Sequence, residues 1–186
     1  MASKEELKSF VNDKIGHYAD ILVKLTKDEQ TGESALNQHA LGELEFYCNL
    51  SVALEEGVSK DAPVVAGILD GINDLLQDIG LVNDGTTFYS TESGIGGTKN
   101  DVQENEISGT LVSHVDKLLE TVLQQSTNNK GVGTRIFEQA KIGFYVAVKN
   151  CVNRVARPCD VGMIDAVNDT LQFLGFLSSK QRFYNL

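Results

Sequence analysis

Apolar side chains recur at intervals of three and four along most of this chain, the spacing that lines one face of an α-helix. The clearest stripe is Leu7, Phe10, Val11, Ile15, Tyr18, Leu22 and Leu25, opened by Ser3 and Glu6 in the spacing of a capping box. A polar break, KDEQTGES, separates it from a second stripe between Ser34 and Glu56, stopped at Gly57. The third helix is signalled by Ser59 and by Pro63 in the first turn, where the missing N–H costs little; its buried face runs Val64 to Ile79 and ends at Gly80. Residues 81–109 then show no periodicity. They are rich in Gly, Ser, Thr and Asn, and Phe88 and Tyr89 are their only aromatics. A structureless connection of this length inside a compact domain tends to be functional, partner-ordered or mobile. A fourth stripe covers Ser108 to Gln125, a fifth helix is expected from Thr134 to Arg157 with Pro158 ending it, and Asp160 is placed to cap a sixth from Val161 to about Ser178. Alternation that would suit a strand occurs only around Thr86–Ser90. The pattern therefore predicts an all-α fold: a single-domain helical bundle of five to six helices over residues 1–178, one long polar loop at about 81–109, and an exposed C-terminal tail at 179–186.

Charge changes that picture because it is unevenly spread. The 186 residues carry a net charge of -10, yet residues 1–126 hold 22 acids, eight lysines and no arginine, whereas 127–186 hold four acids and eight basic residues. All four arginines lie at or beyond Arg135. Arginine forks suit bidentate contact with phosphate, so the stretch 128–158 is the candidate anion-facing surface. Its cations are Lys130, Arg135, Lys141, Lys149, Arg154 and Arg157, against the one acid Glu138. At 100° per residue from Lys141, the residues Phe137, Phe144, Val148, Cys151, Val152 and Val155 fall between about 280° and 20°, while Lys149, Arg135 and Arg157 fall at about 80°, 120° and 160°. That predicts three cations in one wedge opposite a buried stripe, entered through Gly131-Val132-Gly133, where backbone N–H groups at a helix start can approach an anion. The plainer alternative is a solvated helix whose carboxylate partners come from another helix or another subunit. Asp70, Asp74 and Asp78 form a row at intervals of four. Such a row reads most simply as a solvated face, and otherwise as a charged contact surface.

Catalysis finds little support. His17, His39 and His114 stand apart in the sequence, none follows a Glu by three, and no Cys-x-x-Cys occurs among Cys48, Cys151 and Cys159. GIGGTK lacks phosphate-loop spacing and has no preceding strand. An enzyme is not expected, nor a catalytic metal. The odd cysteine count suggests reduced thiols, and MASKEELKSF contains no apolar run, so neither secretion nor a membrane partner is expected.

The order of parts resembles the coat proteins of rod-shaped helical plant RNA viruses, the tobamovirus, tobravirus and benyvirus group. Those are helical bundles with a long polar inner loop, an apolar helix, a short break and an Arg-x-x-Phe-Glu signature. Here the corresponding parts are the 81–109 loop, the helix Leu111–Leu123, the break STNNKGVG and Thr134-Arg135-Ile136-Phe137-Glu138, with Arg135 two positions before Phe137 where the family has three. The resemblance covers roughly residues 80–145. It implies a structural capsid protein of the virion, made in the host cytoplasm, many copies of which assemble into a helix and hold single-stranded RNA by its phosphates without reading sequence. Phe137 would then be core and Glu138 would orient Arg135 or order its loop. Carboxylates meeting across subunit contacts would make assembly sensitive to pH, with weak Ca2+ binding; Glu55, Glu56, Asp70, Asp74 and Asp78 are the candidates. The competing expectation is a non-enzymatic helical-bundle interaction or apolar-ligand-binding module, with the same helices and no filament.

Overall fold

The computed structural model describes residues 2–27, 35–57, 62–83, 85–89, 107–126 and 131–185. Among them are six α-helices and no strand: α1 (Lys4–Lys27), α2 (Ala35–Glu56), α3 (Pro63–Asp78), α4 (Ile107–Ser126), α5 (Val132–Val152) and α6 (Pro158–Phe173), followed by a 3-10 turn at Phe183–Asn185. The fold is the expected all-α helical bundle.

Local chemistry explains most of the boundaries. The capping box at the start of α1 is reciprocal: the Ser3 N–H donates to Glu6 Oε2 at 2.7 Å and the Glu6 N–H donates to Ser3 Oγ at 3.2 Å. Pro63 begins α3, and Gly80, at φ +74°, closes it with its N–H on the Gln77 carbonyl while Leu81 N–H reaches Leu76. Boundaries of α5 and α6 differ from expectation, and α6 itself ends at Phe173, before the expected Ser178, at a turn through Gly175 at φ +82°. α5 stops at Val152 rather than running to Arg157, because Arg154 adopts φ +60° and donates its N–H to the Cys151 carbonyl while Val155 N–H turns back to Asn150. Pro158 does not end a helix; it occupies the first turn of α6, with Arg157 as N-cap.

α2 packs against α1 and α6, α3 and α4 pack against α5, and α5 adjoins α6, so one continuous apolar core runs through both groups. Its largest fully buried side chains include Phe46, Tyr47, Phe88, Phe144, Tyr145 and Phe183. Close helix crossings depend on missing side chains. A Cβ on Gly42 of α2 would overlap the Cys159 carbonyl of α6, and a Cβ on Gly162 of α6 would overlap the His39 carbonyl of α2. The pairing is reciprocal and makes these two helices antiparallel. Gly67 of α3 lies as tightly on the Phe137 carbonyl of α5, and Gly71 faces Lys141 and Phe144 one turn on, so α3 and α5 run parallel.

The segment beyond residue 178 is not an exposed tail. Phe183 is fully buried, its N–H donates to Asn168 Oδ1 at 3.2 Å, and Gln172 Nε2 donates to the Gln181 carbonyl at 2.8 Å. The start of the 81–109 connection is also packed, with Val82 and Phe88 buried and the Phe88 N–H donating to Asn73 Oδ1 at 2.9 Å. Residues 90–106, which include GIGGTK, lie outside the described residues.

Candidate nucleic-acid interface

Of the six cations expected to form one phosphate-facing surface, the five among the described residues are not brought together. Lys141 projects from α5 toward α3 with its side chain only 11% exposed, and its Nζ lies 2.6 Å from Asp70 Oδ2 and 2.5 Å from Asp74 Oδ2. Burial by itself would lower the pKa of this ammonium, but hydrogen bonds and charge from Asp70 and Asp74 outweigh it and the pKa is raised. The Phe137 ring lies 5.9 Å from the same nitrogen. Lys141 is thus a core ion-pair member and not a surface contact. The helical wheel had already placed it at 0°, inside the buried stripe, so the signal was available.

Lys149 pairs with Asp116 of α4 at 2.6 Å, with both side chains well exposed. Arg157 is off α5 altogether and forks onto Asp160, Nε to Oδ2 at 2.9 Å and Nη2 to Oδ1 at 2.8 Å. That fork raises the Arg157 pKa further. The expected wedge of Arg135, Lys149 and Arg157 is therefore broken by the early end of α5. Arg154 is exposed in its left-handed turn. Lys130 lies outside the described residues.

Arg135 remains. It sits in the first turn of α5, where residues 131–135 are all exposed and Gly131 supplies no side-chain cap, and no acid pairs with it among the described residues. Phe137 and Glu138 turn inward from it; Glu138 is buried at 5% exposure. One exposed arginine at an uncapped helix start can meet an anion with both its guanidinium and the free N–H groups.

The acidic row is engaged within the chain while staying partly exposed, with side-chain exposures of 46% for Asp70, 35% for Asp74 and 22% for Asp78. Asp70 and Asp74 hold Lys141, and Asp74 also accepts from the Tyr145 hydroxyl at 3.3 Å. Asp78 accepts from His114 Nδ1 and, at 3.3 Å, from Lys117 Nζ of α4. Burial alone would raise the Asp78 carboxyl, but these two bonds hold it below its ordinary value. Glu55 is exposed, and the Glu56 side chain lies outside the described residues. The charge asymmetry between the two parts of the chain is in part complementarity between helices: Asp70 and Asp74 of α3 neutralise Lys141 of α5, and Asp116 of α4 neutralises Lys149.

A polar cluster went unread in the sequence. His39 and Glu43, four apart on α2, face each other; Glu43 accepts from Tyr18 of α1, His39 faces Asp165 of α6, and Asp165 in turn accepts from Arg182 and Tyr184. The i, i+4 spacing of His39 and Glu43 was the available signal. Among the described residues no group of three or more His, Cys, Asp or Glu is arranged to hold a metal ion, and no helix is long and apolar enough to cross a membrane. An open depression of about 470 Å³ between α1 and α6 is lined by Glu6, Phe10, Asp13 and Phe173 among others; it is not an enclosed apolar pocket. Comparison with protein-family models, with curated proteins and with solved structures found no match in any of the three.

Proposed function

We propose that the protein is a non-enzymatic structural protein that self-associates and packages single-stranded RNA through phosphate contact at the start of α5. The observation that carries this is Arg135: an exposed arginine, without an acidic partner among the described residues, on an uncapped helix start, beside an inward-turned Phe137 and Glu138. Phosphate contact without base readout asks for cations and backbone donors, and that turn offers both. The phosphate-binding set is narrower than composition suggested. Arg135 leads it, Arg154 is a second exposed arginine, and Lys130 is adjacent in sequence. Lys141, Lys149 and Arg157 have acidic partners within the chain. Asp70, Asp74 and Asp78 are engaged inside the subunit, which leaves Glu55, exposed on α2, as the carboxylate for pH- or Ca2+-dependent assembly.

The test is purification of the wild type and of Arg135→Ala under identical salt, followed by ultraviolet absorbance and nuclease treatment. The wild type is expected to carry nuclease-sensitive RNA, and the variant to lose it while keeping its helical circular dichroism. RNA-free wild-type protein would remove this reading. The second reading, a helical interaction module without RNA, is favoured by the intramolecular neutralisation of Lys141, Lys149 and Arg157 and by the exposure of Leu41, Cys48 and Val52 along one face of α2.

A further inference from the structure

Two unlike surface features lie at opposite ends of α6. At its C-terminal end is the open depression of about 470 Å³ between α1 and α6. Its aromatic lining is Phe10 of α1 stacked on Phe173 of α6, with ring centroids 4.2 Å apart and planes within 13°, and Phe173 is 36% exposed. Glu6 and Asp13 add two exposed carboxylates to the lining, and no cation pairs with either among the described residues. The lysines of this part of α1 do not offset them. Lys8 pairs with Glu5 at 3.9 Å and Lys14 with Asp169 at 2.6 Å. Lys4 stands about 160° around the helix from Glu6 and about 180° from Asp13. The depression is therefore aromatic and acidic at once.

At the other end of α6, just before Pro158, the chain turns through Arg154 at φ +60°. Arg154 and Val155 are both exposed, Val155 at 68%, and no acid pairs with Arg154 among the described residues. Glycine would hold a left-handed turn at lower cost, so the turn keeps a cationic side chain that makes no ion pair within its own chain. An arginine beside an exposed valine suits a site that offers aromatic faces together with free carboxylates, because a guanidinium stacks on rings as well as forking onto carboxylates. The 16 residues of α6 set the turn and the depression about 22 Å apart. No residue of α6 before Phe173 is exposed, so the helix offers no flank along which two antiparallel copies could exchange both contacts.

We propose that the Arg154–Val155 turn of one copy docks in the Phe10–Phe173 depression of the next, with Arg154 meeting Asp13 and Glu6 and Val155 meeting the aromatic pair. A contact between unlike patches at opposite ends of a subunit is heterologous and leaves one of each patch free after every addition, so it propagates into rings or open chains and does not stop at a dimer. The docking presupposes the self-association proposed for the chain, but not its RNA binding. In it Arg154 serves the neighbouring copy, and phosphate contact falls to Arg135.

Sedimentation velocity of the full chain, freed of nucleic acid by nuclease treatment, tests the contact at low salt. The wild type is expected to form a concentration-dependent series of species beyond the dimer. Arg154→Glu and Asp13→Lys each set like charges against one another and are each expected to weaken association at least about tenfold. The chain carrying both changes is expected to associate again. All three variants should keep the wild-type circular dichroism, since neither side chain has an ion-pair partner in its own chain among the described residues. A wild type that associates while Arg154→Glu associates equally well, or a doubly changed chain no better than the single variants, would overturn this contact and leave self-association standing. A wild type that sediments as a monomer at every concentration would overturn both, and would leave the depression to a basic partner other than this chain.

Discussion

At the scale of single residues, the main lesson concerns cations that face inward. Lys141 was a phosphate candidate by composition and a core residue by its place on the wheel, and the geometry follows the wheel. Replacing it with methionine leaves Asp70 and Asp74 without their cation, and since both are half-exposed the expected cost is about 2 kcal/mol in urea unfolding. RNA retention is expected to be unchanged after correction for folding. Arg135→Ala gives the opposite pattern, with stability within about 0.5 kcal/mol of wild type and retention lost. Asp78 adds a pH signature. Its carboxyl is held below an ordinary 3.8 by His114 and Lys117, so it stabilises the fold above 3.8 and loses that contribution as pH falls through its lower folded value. Asp78→Asn is therefore expected to lower stability at neutral pH and to flatten the acid side of the stability–pH curve. The partners of Lys141, Lys149 and Asp78 were not legible, because those pairings join residues more than thirty positions apart and depend on how the helices cross.

At the scale of elements, legibility tracked local chemistry. The Ser3–Glu6 box and Pro63 are complete signals within four residues, and they mark α1 and α3 correctly. The end of α5 was missed because Arg154, a residue with no preference for φ +60°, does the work usually left to glycine. A left-handed non-glycine residue costs at least about 1 kcal/mol, partly offset by the extra freedom glycine would have when unfolded, so Arg154→Gly is expected to stabilise the protein by about 0.5 kcal/mol in thermal unfolding. The helix crossings were also invisible, since nothing in the sequence says that Gly42 and Gly162 face each other. Their backbones touch, so Gly42→Ala or Gly162→Ala is expected to cost about 1–3 kcal/mol, whereas alanine at Gly16, which faces open space on α1, should be tolerated or stabilising.

For the whole molecule, the sequence pattern led correctly to an all-α bundle but treated the last residues as a free tail. A single buried phenylalanine in a 3-10 turn leaves no periodic trace in the sequence. Phe183→Ala is expected to cost about 3–5 kcal/mol, the loss typical of a fully buried aromatic. The same view bears on charge. An acidic protein with a basic segment does not by that fact expose a basic surface, because α3 and α4 absorb much of α5's charge. What is left at the start of α5 is small for a single copy. A repeated array of copies would turn one arginine per subunit into a continuous line of phosphate contacts, which is why self-association and RNA binding are proposed together. Negative-stain electron microscopy of the purified full-length protein tests that central claim most directly. Regular helical filaments that shorten or disperse when Arg135 is replaced by alanine are the expected result; uniform single particles at every pH and salt concentration tried would contradict it.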